Sequence, residues 1–193
     1  NIRQPADALR AEKCSPALFH TIASTSMQTD AVAQFLGKMN WRSVLVLASP
    51  SKEDFAVAKA FTASAKKFGL EIAATREFVN SNDPREREKN RPRLLTSGVD
   101  YDIIFLADHE GEFGRYLAYN TYLPRPVIGA QGAHPSSWHW TWERNGAPQL
   151  NQRIRKFAKA DPSSEDWAGW VAVKAVVQAA IRSASVHPGD LRK

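Results

Sequence analysis

Three short and nearly continuous apolar runs, each followed by a loop of small and polar residues, constrain most strongly what this 193-residue chain can fold into. The runs cover residues 43–48, 101–107 and 126–130, and a fourth, alternating run covers residues 70–78. Continuous apolar runs of this length are typical of strands buried on both faces, as in a parallel sheet covered by helices. The sequence therefore predicts an α/β fold with a mainly parallel, doubly wound sheet and helices on both faces.

Segments of helical length separate these runs. The predicted helices cover residues 28–40, 51–68, 84–97, 113–118, 149–159 and 164–183. Ser51 with Asp54, and Ser163 with Asp166, have the three-residue spacing of a capping box, in which each side chain bonds the backbone of the other residue. Residues 19–22 are predicted to form one more short strand. The alternation of strands and helices predicts right-handed crossovers within one parallel sheet.

The composition narrows the class of protein. Hydrophobic residues make up 43% of the chain, which is enough for a packed core, and no apolar stretch has the length of a membrane-spanning helix. The net charge is +6, but acids and bases alternate over the densest charged segment, residues 83–91, without an aromatic residue between them. That pattern favours a solvated helix face over a nucleic-acid surface. The single cysteine, Cys14, excludes an internal disulfide and is predicted to be a small buried side chain.

Function is first sought in the loops that follow the strands, because ligands bind at the carboxyl ends of strands in open parallel sheets. The sequence contains no Gly-x-Ser-x-Gly motif, no phosphate-binding glycine loop and no cysteine–histidine pairing, so a protein that is not an enzyme is predicted. The acids of residues 108–112, and the histidines His134 and His139, lack the spacing of calcium or zinc ligands, so neither a metal nor a cofactor is predicted. An α/β enzyme with a flavodoxin-like sheet and a ligand-sensing domain of a signalling protein are the alternatives.

The order of several motifs resembles a known family. Residues 19–21, 30–36 and 41–47, the last beginning with Trp41-Arg42-Ser43, resemble type I periplasmic binding proteins. These are the two-lobed receptors of ABC importers, similar to the branched-chain amino acid binders. A more specific resemblance, to the binding proteins of ABC systems associated with pyrroloquinoline-quinone-dependent alcohol oxidation, comes from residues 100–116, 124–129, 138–139, 146–150 and 166–170.

The resemblance implies a periplasmic solute-binding component of an ABC uptake system, with a small-molecule ligand and a membrane permease as partners. A full receptor of this family has two lobes. The chain is therefore expected to comprise a lead-in from the first lobe (1–27), the second-lobe ligand-binding domain (28–160) and a helix returning to the first lobe (161–193). Amino-acid binders of the family carry a Tyr-Gly pair after the first strand of this lobe, where this chain has Asp54-Phe55-Ala56. An amino-acid ligand is therefore not supported.

In such receptors the ligand lies in the cleft between the lobes, and the second lobe contributes the loops at its strand ends. By that resemblance the candidate ligand-binding residues are Ser49, Ser51, Asp108, His109, Gln131, His134 and Trp138. Short polar side chains suit a site that binds by a few placed hydrogen bonds. Helix capping is the alternative role for Ser51 and Asp54. Asp108 is expected to face the ligand and to contribute little to folding.

Two groups of apolar residues complete the predictions. Trp138, Trp140 and Trp142 are expected to pack in the core or at the lobe interface, with stacking on a flat ligand such as a quinone as the alternative. Trp167 and Trp170 are expected in the core. The stripe of Trp170, Val173, Val177 and Ile181 on the last helix is expected to be covered poorly by this chain alone, which makes oligomerisation through residues 164–183 an expectation as well.

Overall fold

The computed structural model describes residues 1–79, 81 and 83–191. Within these residues the helices are α1 (Thr25–Lys38), α2 (Lys52–Lys67), α3 (Pro84–Lys89), α4 (Pro92–Leu95), α5 (Gly114–Leu117), α6 (Ala147–Ala158) and α7 (Ser164–Ser183). The strands are β1 (Ser43–Ala48), β2 (Glu71–Glu77), β3 (Ile103–Ala107) and β4 (Val127–Gly129), and a short 3₁₀ helix covers Asp7–Arg10. None of the described helices is long and apolar enough to cross a membrane.

The chain divides into two compact units. One comprises Thr25–Pro135, and the other comprises Asn1–Ser24 together with Ser136–Lys193. The first unit contains the whole sheet, and the second contains α6 and α7. The boundary at Pro135 lies before the end of the predicted ligand-binding segment, residues 28–160. The assignment of the three segments to two lobes stays a prediction.

The sheet is parallel throughout and has the strand order β2-β1-β3-β4. β1 pairs with β3 in an unbroken register from Val44 opposite Ile103 to Ala48 opposite Ala107. The ladder between β1 and β2 has one irregularity, between Val44 and Leu45. The predicted α/β fold with a mainly parallel sheet is therefore confirmed.

Both faces of the sheet are buried, as the continuous apolar runs predict. On one face, Val44, Val46 and Phe105 pack against the apolar sides of α1 and α2, where the ring of Phe61 stacks on Phe105 at a centroid distance of 3.8 Å. On the other face, alternate residues of the same strands, among them Leu45 and Leu106, pack against Leu117 of α5 and against Phe78. Successive side chains of a strand point to opposite faces, so a strand covered on both sides must be apolar at every position.

Three local predictions are wrong. Residues 19–22 form no strand, because their backbone hydrogen bonds go to Asn1 and not to a neighbouring strand: Asn1 donates to Phe19 O and Thr21 donates to Asn1 O. The charged segment forms two short helices, since Arg91 precedes a proline and takes an extended conformation that ends the first of them. Cys14 is exposed.

The two predicted capping boxes have different outcomes. At α7, the Ser163 hydroxyl accepts from the backbone N–H of Asp166 and the Asp166 carboxylate accepts from that of Ser163, so this box is confirmed. At α2, Ser51 accepts from the backbone N–H of Asp54, but the reciprocal bond is absent. The Ser51 N–H donates instead to the Ser49 hydroxyl, because the Asp54 carboxylate has other partners.

The apolar stripe of α7 is exposed. The exposed fractions are 40% for Trp170, 66% for Val173, 46% for Val177 and 67% for Ile181, and Val176 beside them is also exposed. This confirms that the chain leaves the stripe uncovered, and it corrects the expectation that Trp170 is a core residue. Large apolar side chains at this helical spacing form a continuous surface of the kind that usually has a partner.

At the amino-terminal edge of the sheet, Asp102 ties β1 to the segment before β3. Its Oδ2 accepts hydrogen bonds from the backbone N–H groups of Ser43 (2.9 Å) and Arg42 (2.8 Å). The bond from Ser43 is the main cause that lowers the pKa of Asp102 below its ordinary value, with smaller contributions from Arg42 and the charge of Arg125. Protonation therefore favours the unfolded chain, in which the carboxyl binds a proton at higher pH.

The Asp102 carboxylate is thus expected to stabilise the fold at neutral pH and to lose that effect in acid. Its contribution is complete above the ordinary pKa of 3.8 and disappears as pH falls through the lower pKa of the folded state. The free energy of unfolding of the protein and of Asp102→Asn, measured in urea from pH 7 to pH 3, should differ at pH 7 and converge towards pH 3. A difference that is independent of pH would contradict this.

Candidate functional site

The strand order places one topological switch point in the sheet. From β1 the chain proceeds through α2 to β2 on one side, whereas from β3 it proceeds through α5 to β4 on the other side. The loops that leave β1 and β3 consequently diverge at the carboxyl ends of two neighbouring strands. Ligands of open α/β sheets bind in the crevice at such a point. Ser49, Ser51, Asp108 and His109 follow these two strands, so these four of the sequence-predicted residues lie at the switch point.

The first loop is held by hydrogen bonds to its own helix. Ser49 is buried, and its hydroxyl donates to Asp54 Oδ2 at 2.5 Å while it accepts from the Ser51 N–H at 3.2 Å. The Ser51 hydroxyl accepts from the Asp54 N–H at 3.1 Å and so caps α2. Both serine hydroxyls therefore have structural partners, as the capping alternative requires for Ser51.

Asp54 joins this loop to the loop that follows β3. The residue is 1% exposed, and its Oδ1 accepts a hydrogen bond from the backbone N–H of His109 at 2.9 Å. The Nδ1 atom of the His109 ring lies 3.7 Å from the same oxygen, and about half of the His109 side chain is exposed. One buried carboxylate thus contacts Ser49 in one loop and both the backbone and the ring of His109 in the other.

Asp108 holds the second loop from within. The residue is buried, its Oδ1 accepts from the Gly111 N–H at 3.0 Å, and its Oδ2 accepts from the Gly114 N–H at 2.7 Å. Both oxygens satisfy backbone donors at the start of α5, so the structure favours a contribution of Asp108 to folding over the small contribution expected from the sequence. Its participation in ligand binding stays a prediction.

The loop after β4 brings Gln131 to the same edge. A Cβ at Gly114 would lie only 2.5 Å from Gln131 Cγ, so the glycine makes room for this side chain beside the Asp108 loop. Gly129 ends β4 with a φ of 109°, and its N–H donates to Ala133 O in a tight turn. His134 follows the turn and is exposed. No titratable group of this edge joins a cluster of metal-ligating residues within the described part of the chain.

Trp138, also predicted from the sequence as a ligand-binding residue, belongs to the other compact unit. Its ring stacks on Trp167 at a centroid distance of 4.3 Å, and Trp167 stacks on Trp170 at 5.3 Å. The Trp138 Nε1–H donates to Asn151 Oδ1, and the Asn151 amide donates to Trp140 O. The first indole of the aromatic cluster is therefore a packed residue of its unit, whereas Trp140 and Trp142 are about half exposed.

The three-residue spacing of Ser51 and Asp54 predicts only a capping role for Asp54, although the sequence contains a signal for another role. Asp54 lies in register with Ala58, Phe61 and Ala65, which form the buried side of α2. An aspartate on the buried side of a helix needs hydrogen-bond partners from outside that helix. The identity of those partners could not be predicted, because His109 is 55 residues away in the sequence.

Several solved structures are similar to this chain. A branched-chain amino acid ABC transporter periplasmic ligand-binding protein from Burkholderia xenovorans LB400 has a TM-score of 0.79 at 10% identity, covering 99% of this chain and 55% of that one. An ABC transporter substrate-binding protein from Desulfitobacterium hafniense, in complex with Leu, has a TM-score of 0.71 at 19% identity, with coverages of 98% and 58%. A solute-binding protein of an ABC transporter from R. palustris, in complex with benzoate, has a TM-score of 0.69 at 12% identity, with coverages of 97% and 56%.

At these identities the similarity establishes the fold, and the chain spans little more than half the length of each of these proteins. No curated protein matches the sequence. The family model described as the receptor family ligand binding region matches residues 5–117, which include the switch point. Because this match covers more than half of the sequence, the chain belongs to the receptor family ligand binding region.

Proposed function

We propose that this chain forms the second lobe of a periplasmic, non-enzymatic solute-binding component of an ABC uptake system. The observation that carries the proposal is the switch point between β1 and β3, where two loops with polar residues meet at the carboxyl ends of neighbouring strands. In an open α/β sheet this crevice is the default binding site. Membership of a family of ligand binding regions supports the same role.

The ligand in this proposal is a small organic solute. The similar structures include one in complex with Leu and one in complex with benzoate, both of which are small molecules with a carboxylate. On this chain the half-exposed imidazole of His109 would supply the main polar contact, with Gln131 and His134 beside it. Closure of two lobes around the solute would then present the closed form to a membrane permease.

The second lobe of the cleft is part of the proposal. The similar structures have chains almost twice as long as this one, so a partner lobe of comparable size accounts for the difference. We infer that segments 1–27 and 161–193 accompany that lobe and that it covers the exposed stripe of α7. Association of two copies through residues 164–183 is the alternative for the same stripe.

A link to pyrroloquinoline-quinone-dependent alcohol oxidation is the finer part of the proposal. It is supported by the ordered motifs of the sequence, including Asp166-Trp167-Ala168-Gly169-Trp170. A ligand-sensing domain of a signalling protein is the second candidate, and the family's description as a receptor favours it equally. The genomic context discriminates between the uptake and sensing functions. A neighbouring ABC permease gene favours uptake, and a signalling domain encoded in the same gene favours sensing.

Direct measurement of bound solute tests the proposal. Native mass spectrometry of the full-length protein, purified without denaturation, is expected to detect a small molecule that is lost on unfolding. Calorimetry with that molecule, and with L-leucine and benzoate as probes, then gives the affinities. For His109→Ala we expect affinity for the bound solute to fall about threefold to tenfold, as the loss of one hydrogen bond predicts.

His187→Ala is the matched control, since it removes a histidine that follows α7. Its affinity should equal that of the unchanged protein. If no solute is bound and neither probe gives heat, the solute-binding proposal fails. If a solute binds and His109→Ala leaves its affinity unchanged, the solute-binding function stands, but His109 is not part of the binding site.

A further inference from the structure

Asp54 contacts both strand-end loops at the switch point. Its Oδ2 accepts from the hydroxyl of Ser49 after β1, and its Oδ1 accepts from the N–H of His109 after β3. Asp108, by contrast, bonds the backbone of its own loop, at Gly111 and Gly114. The two buried aspartates therefore have different roles: Asp108 shapes one loop, and Asp54 fixes that loop relative to its neighbour.

Stability alone does not account for an aspartate at this position. Residues 58, 61 and 65 on the same side of α2 are apolar and buried, and a small apolar residue would complete that side at less cost. Burial of a carboxylate is unfavourable unless every oxygen has a partner, and apolar replacements of buried charged groups are often neutral or stabilising. What an apolar residue could not do is accept the His109 N–H and the Ser49 hydroxyl together.

The geometry around His109 indicates what this contact controls. The backbone N–H of His109 lies 2.9 Å from Asp54 Oδ1, and its ring atom Nδ1 lies 3.7 Å from the same oxygen. The backbone of His109 is thus held by a hydrogen bond to Asp54 Oδ1, and its ring lies near the same oxygen but beyond hydrogen-bond distance. About half of the His109 side chain stays exposed, so the ring has one side near Asp54 and another side open to solvent.

We propose that Asp54 is a positioning residue of the candidate site, which sets the separation of the two loops and the direction of the His109 imidazole. This inference rests on the proposed function, because it gives Asp54 a task in that site without contact to the ligand. It also gives a physical reason for an aspartate among the apolar residues on the buried side of α2. In this chain the position serves the loops through a buried carboxylate.

Amide hydrogen exchange on the protein without added ligand tests the proposal. In Asp54→Ala the His109 amide should exchange about ten to a hundred times faster than in the unchanged protein, as loss of a hydrogen bond to a charged acceptor predicts. In Asp54→Asn the amide oxygen can still accept from His109 and the amide nitrogen can donate to the Ser49 hydroxyl. Protection at His109 should therefore be largely retained, which a requirement for charge alone would not produce.

Asp102→Ala is the matched control, because Asp102 is likewise an aspartate that accepts two hydrogen bonds, here from two backbone N–H groups, but it lies at the opposite edge of the sheet. In this variant the amides of Arg42 and Ser43 should exchange faster, and the amide of His109 should stay protected. Should Asp54→Ala not fold, Asp54→Ser replaces it, since serine keeps a polar group but is too short to contact both loops. In Asp54→Ser the His109 amide is expected to exchange as fast as predicted for Asp54→Ala.

Three outcomes would overturn the proposal: equal protection of His109 in Asp54→Ala and the unchanged protein, equal release in Asp102→Ala, or release in Asp54→Asn as large as in Asp54→Ala. None of these measurements needs a ligand. If the protein binds no solute, the proposed function is therefore rejected. The exchange data would still decide whether Asp54 positions His109. Conversely, the protein could bind solute while the His109 amide is equally protected in all variants. The proposed function would then stand, and the positioning role of Asp54 would be rejected.

Discussion

Gly129→Ala is expected to lower the free energy of unfolding by about 3–5 kcal/mol, with contributions from a strained backbone and from a steric clash. Gly129 has a φ of 109°, which residues with a Cβ rarely adopt. A Cβ built there would lie 2.4 Å from the carbonyl oxygen of Leu106, the residue that it pairs with in β3. Urea unfolding followed by circular dichroism measures the loss.

Gly37→Ala is the control for this substitution. Gly37 lies in α1, and a Cβ there would have no atom within 4 Å. Alanine is the better helix former, so this variant should gain about 0.5–1 kcal/mol. If Gly129→Ala loses no more than 1 kcal/mol, β4 must be able to move away from Leu106, and the close pairing that places Gln131 and His134 at the carboxyl edge is not a rigid feature.

The sheet could be predicted from the sequence because local and tertiary requirements coincide there. Strands such as β1 are covered on both faces, so every residue from Val44 to Ala48 is buried. Because each of these residues is apolar, the burial can be predicted from the sequence of the segment. The same holds for β3. The edge of the sheet could be predicted as well, because a parallel sheet brings all the carboxyl ends to one side.

The arrangement within the site could not be predicted in the same way. The bonds from Ser49 and His109 to Asp54 join parts of the chain that no periodicity connects, and the capping spacing of Ser51 and Asp54 suggested a different partner for the carboxylate. Similarly, the spacing of apolar residues in the last helix predicts its apolar stripe. Whether another surface covers Trp170 depends on residues outside α7, which this spacing does not identify. Local sequence therefore predicts which residues follow the strands at the carboxyl edge of the sheet, but it does not tell which of them serve the fold.

Asp108 is the residue for which this distinction has the largest measurable consequence. Removal of its carboxylate in Asp108→Ala leaves the N–H of Gly114 buried without an acceptor and weakens the bond of Gly111, which then has only the Asp108 backbone oxygen. We expect the free energy of unfolding to fall by about 2–4 kcal/mol. Asp108→Asn keeps one acceptor oxygen for Gly114, so its loss should be about half as large.

Glu112→Ala separates this effect from the general removal of an acid in the same loop. The Glu112 carboxylate is exposed and lies 3.7 Å from Arg115, which is also exposed, so this variant should change the free energy of unfolding by less than about 1 kcal/mol. All three variants are compared by urea unfolding at pH 7. A loss in Asp108→Ala no larger than that in Glu112→Ala would show that the Gly111 and Gly114 amides find other acceptors. In that case the carboxylate is not needed for the loop, and a direct contact with ligand becomes the better reason for its position at the end of β3.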